Sequence, residues 1–241
     1  MKLFNLDSPL MQALTKVADL LWLNILTIIC SVPIVTIGAS LTAMNYMALK
    51  IVRDEECYIT KGFFKSFKEN FRQATIIWLI LLVVGVLLIA DYFIMGNSDF
   101  KYSGAAQIAI MACGIILLCE IMFVFPVLAK FGNTIVNTMK NALMISVLQF
   151  PKTVLMIIMY AIPAILFFFV VSLMPITFCF GLSVPAWCSA KLYNKFFKKL
   201  EDQITGANAE DTDAEPEEDE RIFKDELDPA LVERDFSNRE K

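Results

Sequence analysis

Few side chains in this sequence could do chemistry. Glu120 comes first: it is a carboxylate inside the apolar run 105–129, with Cys119 and Met122 around it. Ionisable groups at membrane depth are costly and count by default as functional candidates. Glu120 fits a proton-carrying or cation-coupling carboxylate, or a group that binds a substrate hydroxyl. It equally fits a neutral or paired Glu that hydrogen-bonds to a neighbouring helix, with Asn24 as a partner. Asn24 opens a second set, continued by Thr27, Ser31, Thr36, Ser40, Thr42 and Asn45, which makes its apolar stretch unusually polar. Such residues suit a sugar pathway, which needs hydrogen-bond partners, and they suit ordinary helix packing in membranes. Glu120 and Asn24 are therefore the substrate- or ion-binding candidates.

Other chemistries lack their parts. Histidine is absent, which removes any Ser-His or Cys-His nucleophile, any HExxH zinc site and any haem held by histidine. Intramembrane proteolysis of the paired-aspartate type needs two buried Asp residues where this chain offers only the peripheral Asp91. No Gly-rich phosphate loop is present, so the chain is not expected to hydrolyse ATP. The six cysteines form no CxxC pair and mostly lie in apolar runs, where free Cys behaves as a small hydrophobe. No catalytic residue, metal site or cofactor is expected, and the chain does not read as an enzyme.

The elements that carry these residues read as membrane sequence. The chain of 241 residues is 57% hydrophobic and 19% charged, outside the soluble range and typical of an all-α, polytopic helical membrane protein. Residues 20–49 carry no charge, and a helix needs only about 20 residues to cross a hydrocarbon core about 30 Å thick. Pro33 and Gly38 mark a helix break in the middle of this stretch, of the kind transporters place near midplane sites. Its length gives about 45 Å of helix, enough for one long tilted crossing and short for two full ones. A single crossing is expected, with a tight hairpin at 33–38 as the alternative. Spans at 74–95, 105–129, 154–173 and 175–190 bring the expected count to five crossings, or six with the hairpin. Residues 1–19 form an N-terminal amphipathic segment without the form of a signal peptide. Ser8 is its N-cap, Pro9 takes the first helical position, and Leu10, Leu14, Val17 and Leu21 share one face. It reads either as a helix lying at the interface or as an early start of the first span.

Charge is segregated along the chain. Residues 1–199 carry 16 Lys and Arg against 9 Asp and Glu, whereas 200–241 carry 5 against 16. The acidic tail has too few large apolar residues to offset its ordering entropy and is expected to be disordered. Thirteen of the basic residues fall in segments 50–72, 130–152 and 191–199, and one falls in the turn 96–104. The positive-inside rule then puts these segments and the C-terminus on the cytoplasmic side of the cell membrane, with Trp22 near the outer face. Within the first basic segment, Phe64, Phe67 and Phe71 share a helix face flanked by Lys65, Lys68 and Arg72. That pattern fits a helix lying among lipid headgroups, and it fits a docking helix for a cytoplasmic partner. No nucleic-acid partner is expected.

Three motifs carry a resemblance. Leu23-Asn24-Ile25-Leu26 followed by Cys30-Ser31-Val32-Pro33-Ile34-Val35-Thr36-Ile37-Gly38-Ala39 is the first. The second is Phe63-Phe64-Lys65-Ser66-Phe67-Lys68-Glu69-Asn70-Phe71, and the third Phe125-Pro126-Val127-Leu128-Ala129-Lys130-Phe131. Over about residues 1–200 the chain resembles the YesL family, small multi-pass membrane proteins of Gram-positive bacteria. Members of that family tend to be encoded beside carbohydrate-uptake transporters and polysaccharide-degrading enzymes. The resemblance therefore implies an accessory or permease-like role in sugar import, with subunits of a sugar ABC transporter as partners. It carries over no catalytic residues. The competing expectation is a non-transporting membrane scaffold or regulator that engages lipid or cytoplasmic proteins through its basic helices and acidic tail.

Overall fold

The computed structural model describes residues 9–55, 58–97 and 104–210, and among them every regular element is helical. In order these are α1 (Pro9–Ser31), a 3-10 turn (Ile34–Thr36), α2 (Ile37–Val52), α3 (Ile59–Asn97), α4 (Gly104–Lys130), α5 (Ile135–Leu148), α6 (Phe150–Phe169), α7 (Met174–Phe180) and α8 (Ser183–Glu210). Five helical stretches are long and apolar enough to cross a membrane: Leu14–Ser31, Ile34–Val52, Ile59–Ile94, Gln107–Lys130 and Phe150–Phe169. The protein is an all-α, polytopic membrane protein. By its internal contacts the chain divides into two units, Met1–Phe196 and Phe197–Lys241.

The first unit is organised around α2. Ala39, Ala43, Met44, Met47 and Ala48 are fully buried there, and its small residues let neighbouring backbones come close. Gly38 lies directly against α3, since a Cβ at that position would stand 2.5 Å from the Ala74 carbonyl oxygen and 2.6 Å from Trp78 Cβ. Gly62 of α3 returns the favour near the other end of α2, meeting the sulfur of Met47. The two helices therefore form an antiparallel pair with a glycine contact toward each end. α1 folds back along the same pair, with Lys16 in an ion pair with Asp54 just beyond α2. Asp54 takes a left-handed conformation (φ 55°), which Asp tolerates better than most residues.

Several expectations are corrected here. Residues 20–49 do not make one crossing: the chain breaks after Ser31, turns through Pro33 and resumes as α2, which packs on α1. Proline at 33 has no N–H to continue the α1 ladder, so the helix stops there. The segment before residue 20 is continuous with the first membrane-length helix, the second of the two readings left open for it, because α1 runs unbroken from Pro9. The Phe/Lys segment is likewise not a separate helix. It forms the first third of α3, whose 39 residues make a rod about 58 Å long, against a hydrocarbon core of about 30 Å. The fifth span expected at 175–190 is split into α7, which is too short, and α8, which is long but not apolar enough, so neither is among the helices that could each cross a membrane. The number of helices individually long and apolar enough to cross stays at five, because the first stretch supplies two and α7 and α8 are not among them.

α8 continues to Glu210, into the segment expected to be disordered. Extending a helix that already exists adds one hydrogen bond per residue fixed, so acidic composition alone does not stop it. The rest of the acidic tail, residues 211–241, lies outside the described residues.

Candidate functional site

The most connected polar side chain in the body is Asn24 of α1, which is fully buried. Its Nδ2 donates to the Phe178 carbonyl at 2.8 Å, and its Oδ1 accepts from the Leu182 and Ser183 N–H groups, each at 3.0 Å. Phe178 and Leu182 are four residues apart, so their carbonyl and N–H would bond each other in an uninterrupted helix. The carboxamide of Asn24 stands in that opened bond. It satisfies the orphan carbonyl of α7 and two orphan N–H groups at the start of α8, across more than 150 residues of chain.

A second polar contact joins α2 to α8. Arg53, the C-cap of α2, donates from Nε to Asn194 Oδ1 at 2.9 Å. Beside it Tyr193 is buried, with its ring 6.4 Å from that of Phe123 on α4. Burial, and secondarily the nearby Tyr160, pushes the Tyr193 phenol above its ordinary value, while Arg53 pulls it the other way. At neutral pH this phenol stays protonated and does not act as a base.

The remaining polar residues of the first two helices largely bond their own backbone. Thr27 Oγ1 donates to the Leu23 carbonyl, Thr42 Oγ1 to that of Gly38 and Asn45 Nδ2 to that of Leu41, each at 2.8 Å. Thr36 Oγ1 lies 2.6 Å from the Cys30 carbonyl and 2.7 Å from that of Pro33, closing the turn between α1 and α2. Trp78 of α3 completes it, donating from Nε1 to the Ile34 carbonyl at 2.8 Å.

Of the residues singled out from the sequence, Pro33 and Gly38 flank this turn, and Gly38 is a contact point with α3. Asn24 does not pair with Glu120: its bonds go to the α7–α8 break. Glu120 is half-buried on α4, and no hydrogen bond or ion pair joins it to another described residue. On α3, the rings of Phe63, Phe67 and Phe71 run in a ladder with centroids 6.2 and 5.5 Å apart. Phe63 is buried, Phe67 is half-buried, and Phe64, Phe71, Lys65, Lys68 and Arg72 are exposed. Trp22, expected near the outer face, instead donates to Thr60 Oγ1 at 2.9 Å, within the basic segment. The α1–α2 hairpin brings it there.

Sequence reasoning missed the Arg53–Asn194 contact and the α7–α8 break. The break had a local signal: Gly181 closes one apolar run, and Ser183 with Pro185 opens the next, the residues favoured past a helix end and at a helix start. Nothing near Asn24 in the sequence points to its distant partners.

The first three helices are also where a family model matches the chain. Residues 20–92 match a family model described as "Protein of unknown function, DUF624". That match takes in α1 from Leu20, all of α2 and most of α3, and with them the first two of the three motifs above. A curated relative, "Uncharacterized protein YteU" of Bacillus subtilis (strain 168), is 26% identical over 143 residues. The alignment covers 59% of this chain and 63% of the relative, so the chain spans less than two thirds of that protein's length. No solved structure matches the chain.

Proposed function

We propose that the protein is a non-enzymatic accessory component of a carbohydrate-uptake system in the cell membrane, working beside a transporter and not as the sugar path itself. The sugar-uptake setting comes from the resemblance to the YesL family. Preference for an accessory over a permease-like role rests on one observation. The hydrogen-bonding capacity that a sugar path through α1 and α2 would need is largely spent on their own carbonyls, through Thr27, Thr36, Thr42 and Asn45. The exposed cations Lys65, Lys68 and Arg72 beside Phe64 and Phe71 supply the contact surface, on the cytoplasmic side together with the C-terminus. Glu120, half-buried on α4, is then not a coupling carboxylate.

The test is purification of the tagged full-length protein from native membranes. Subunits of a sugar ABC transporter should co-purify, and changing Lys65, Lys68 and Arg72 together to Glu should remove them. Recovery of the protein without any transporter subunit would overturn the reading. A Glu120→Gln variant separates the permease-like role, because only that role loses uptake when expression is normal. The scaffold or regulator reading draws on the same exposed face. Deleting residues 201–241 isolates it: partner binding would be lost while uptake continues.

A further inference from the structure

The second half of α6, the short α7 and the start of α8 line an open cavity of about 310 Å³. Its walls include Met159, Ile162, Pro163, Ile176, Gly181 and Val184. Pro163 interrupts the α6 ladder because it has no N–H, and Gly181 stands opposite at the α7–α8 break. A Cβ on Gly181 would clash with the Thr177 carbonyl oxygen one turn back and would only reach ordinary contact, 3.7 Å, with Pro163 Cβ, so it is the α7–α8 break itself that requires glycine here. The break is also held from outside. Asn24 occupies the Phe178 carbonyl and the Leu182 and Ser183 N–H groups, so α7 and α8 cannot close the space by rejoining into one helix.

The lining offers an occupant nothing polar. Its one hydroxyl, Thr177, donates to the Leu173 carbonyl at 2.6 Å. Ordered water needs two to four polar partners, so water does not fill a space of this kind. The approach to the cavity is apolar too. Ile162 and Ile176 are exposed, and along α6 they continue into exposed Ile158, Ile165 and Phe168, the outer face of a helix of membrane length. Whatever enters therefore arrives from the hydrocarbon. The volume holds about ten groups the size of a water molecule, which suits a stretch of one flexible chain and not a folded partner.

We propose that this cavity between α6, α7 and α8 is a binding site for an acyl chain of a membrane lipid, held open by Asn24. It is independent of the transporter-partner reading.

The test uses full-length protein in phosphatidylglycerol vesicles that contain a trace of the same lipid with a photoactivatable diazirine on its acyl chain. Peptide mapping after irradiation reads where the chain sits. Adducts at Ile162, Ile176 and Val184 should saturate as the probe fraction rises and fall when unlabelled lipid is added. Adducts at Phe168, on the open face, should rise in proportion to the probe. Val184→Trp fills the space and should remove the saturable component while Phe168 labelling stays as it was. Cavity labelling that simply tracks Phe168 would overturn the site, as would a saturable component that survives Val184→Trp. If that variant alters Phe168 labelling as well, its fold has changed, and the saturation curve of the unaltered protein decides alone.

Discussion

The two helix interruptions, one between α1 and α2 and the other between α7 and α8, solve the same problem by opposite means. At each, backbone groups lose their helical partners in a setting where little water can replace them. At the first, the repair is mostly local: Thr36 bonds Cys30 and Pro33, and Trp78 adds one bond from α3. At the second, one side chain on a distant helix makes all three repairs. The surroundings differ as well. Val32, Pro33, Ile34 and Val35 of the first turn are exposed although α2 behind it is largely buried, whereas the second interruption borders a cavity and has Ser183 buried within it. A break repaired locally tolerates the loss of any one partner, whereas a break repaired by a single residue depends on it.

The sharpest way to break this contrast is Asn24→Leu, which keeps the branching and heavy-atom count of the side chain and removes the carboxamide. Three backbone groups lose their partner at once, and each orphaned buried group costs about 1–3 kcal/mol. Part returns if the Phe178 carbonyl and the Leu182 N–H bond each other directly. A net loss of about 3 kcal/mol in unfolding free energy is expected, measured by denaturant titration in detergent micelles. A loss no larger than that of an exposed substitution such as Phe168→Leu would show that the second interruption is not held by Asn24.

Gly38→Val ranks next and acts on the other interruption. Its Cβ would stand 2.5 Å from the Ala74 carbonyl oxygen, a backbone atom that can yield only if α3 shifts. Overpacking of this kind costs about 1–3 kcal/mol. The same unfolding titration should show it, and a variant as stable as the parent would mean that α2 and α3 are not in the contact described.

How much of this was legible in the sequence follows the range over which each signal acts. Proline at 33 ends a helix through its own missing N–H, so the break was visible. Whether it produced a bent crossing or a hairpin was not, because that depends on α1 and α2 packing on each other. α4 was readable almost to its ends, since its apolar run is bounded by Gly104 and Lys130. α3 was misdivided because the polar face of residues 61–72 looks like a boundary when only charge is counted. Its other face, with Phe63 buried and Gly62 against Met47, continues the contact with α2. Asn24 was picked out as polar within an apolar stretch, yet its role lay in backbone groups more than 150 residues away, which no local pattern encodes.

The smallest expected effect belongs to Trp78→Phe, and its smallness is what the comparison requires. The change removes the 2.8 Å bond from Nε1 to the Ile34 carbonyl and keeps an aromatic ring near Phe125. Unlike the groups around Asn24, the Ile34 carbonyl is not orphaned, because the Ile37 N–H also bonds it. A single net hydrogen bond with its acceptor still satisfied is worth about 0.5–1.5 kcal/mol, and membrane interhelical bonds average about 0.6 kcal/mol. Trp78→Phe should therefore cost well under half of what Asn24→Leu costs in the same titration. If the two variants proved equal, the first turn would rest on one distant side chain just as the second does, and the distinction between local and remote repair would fail.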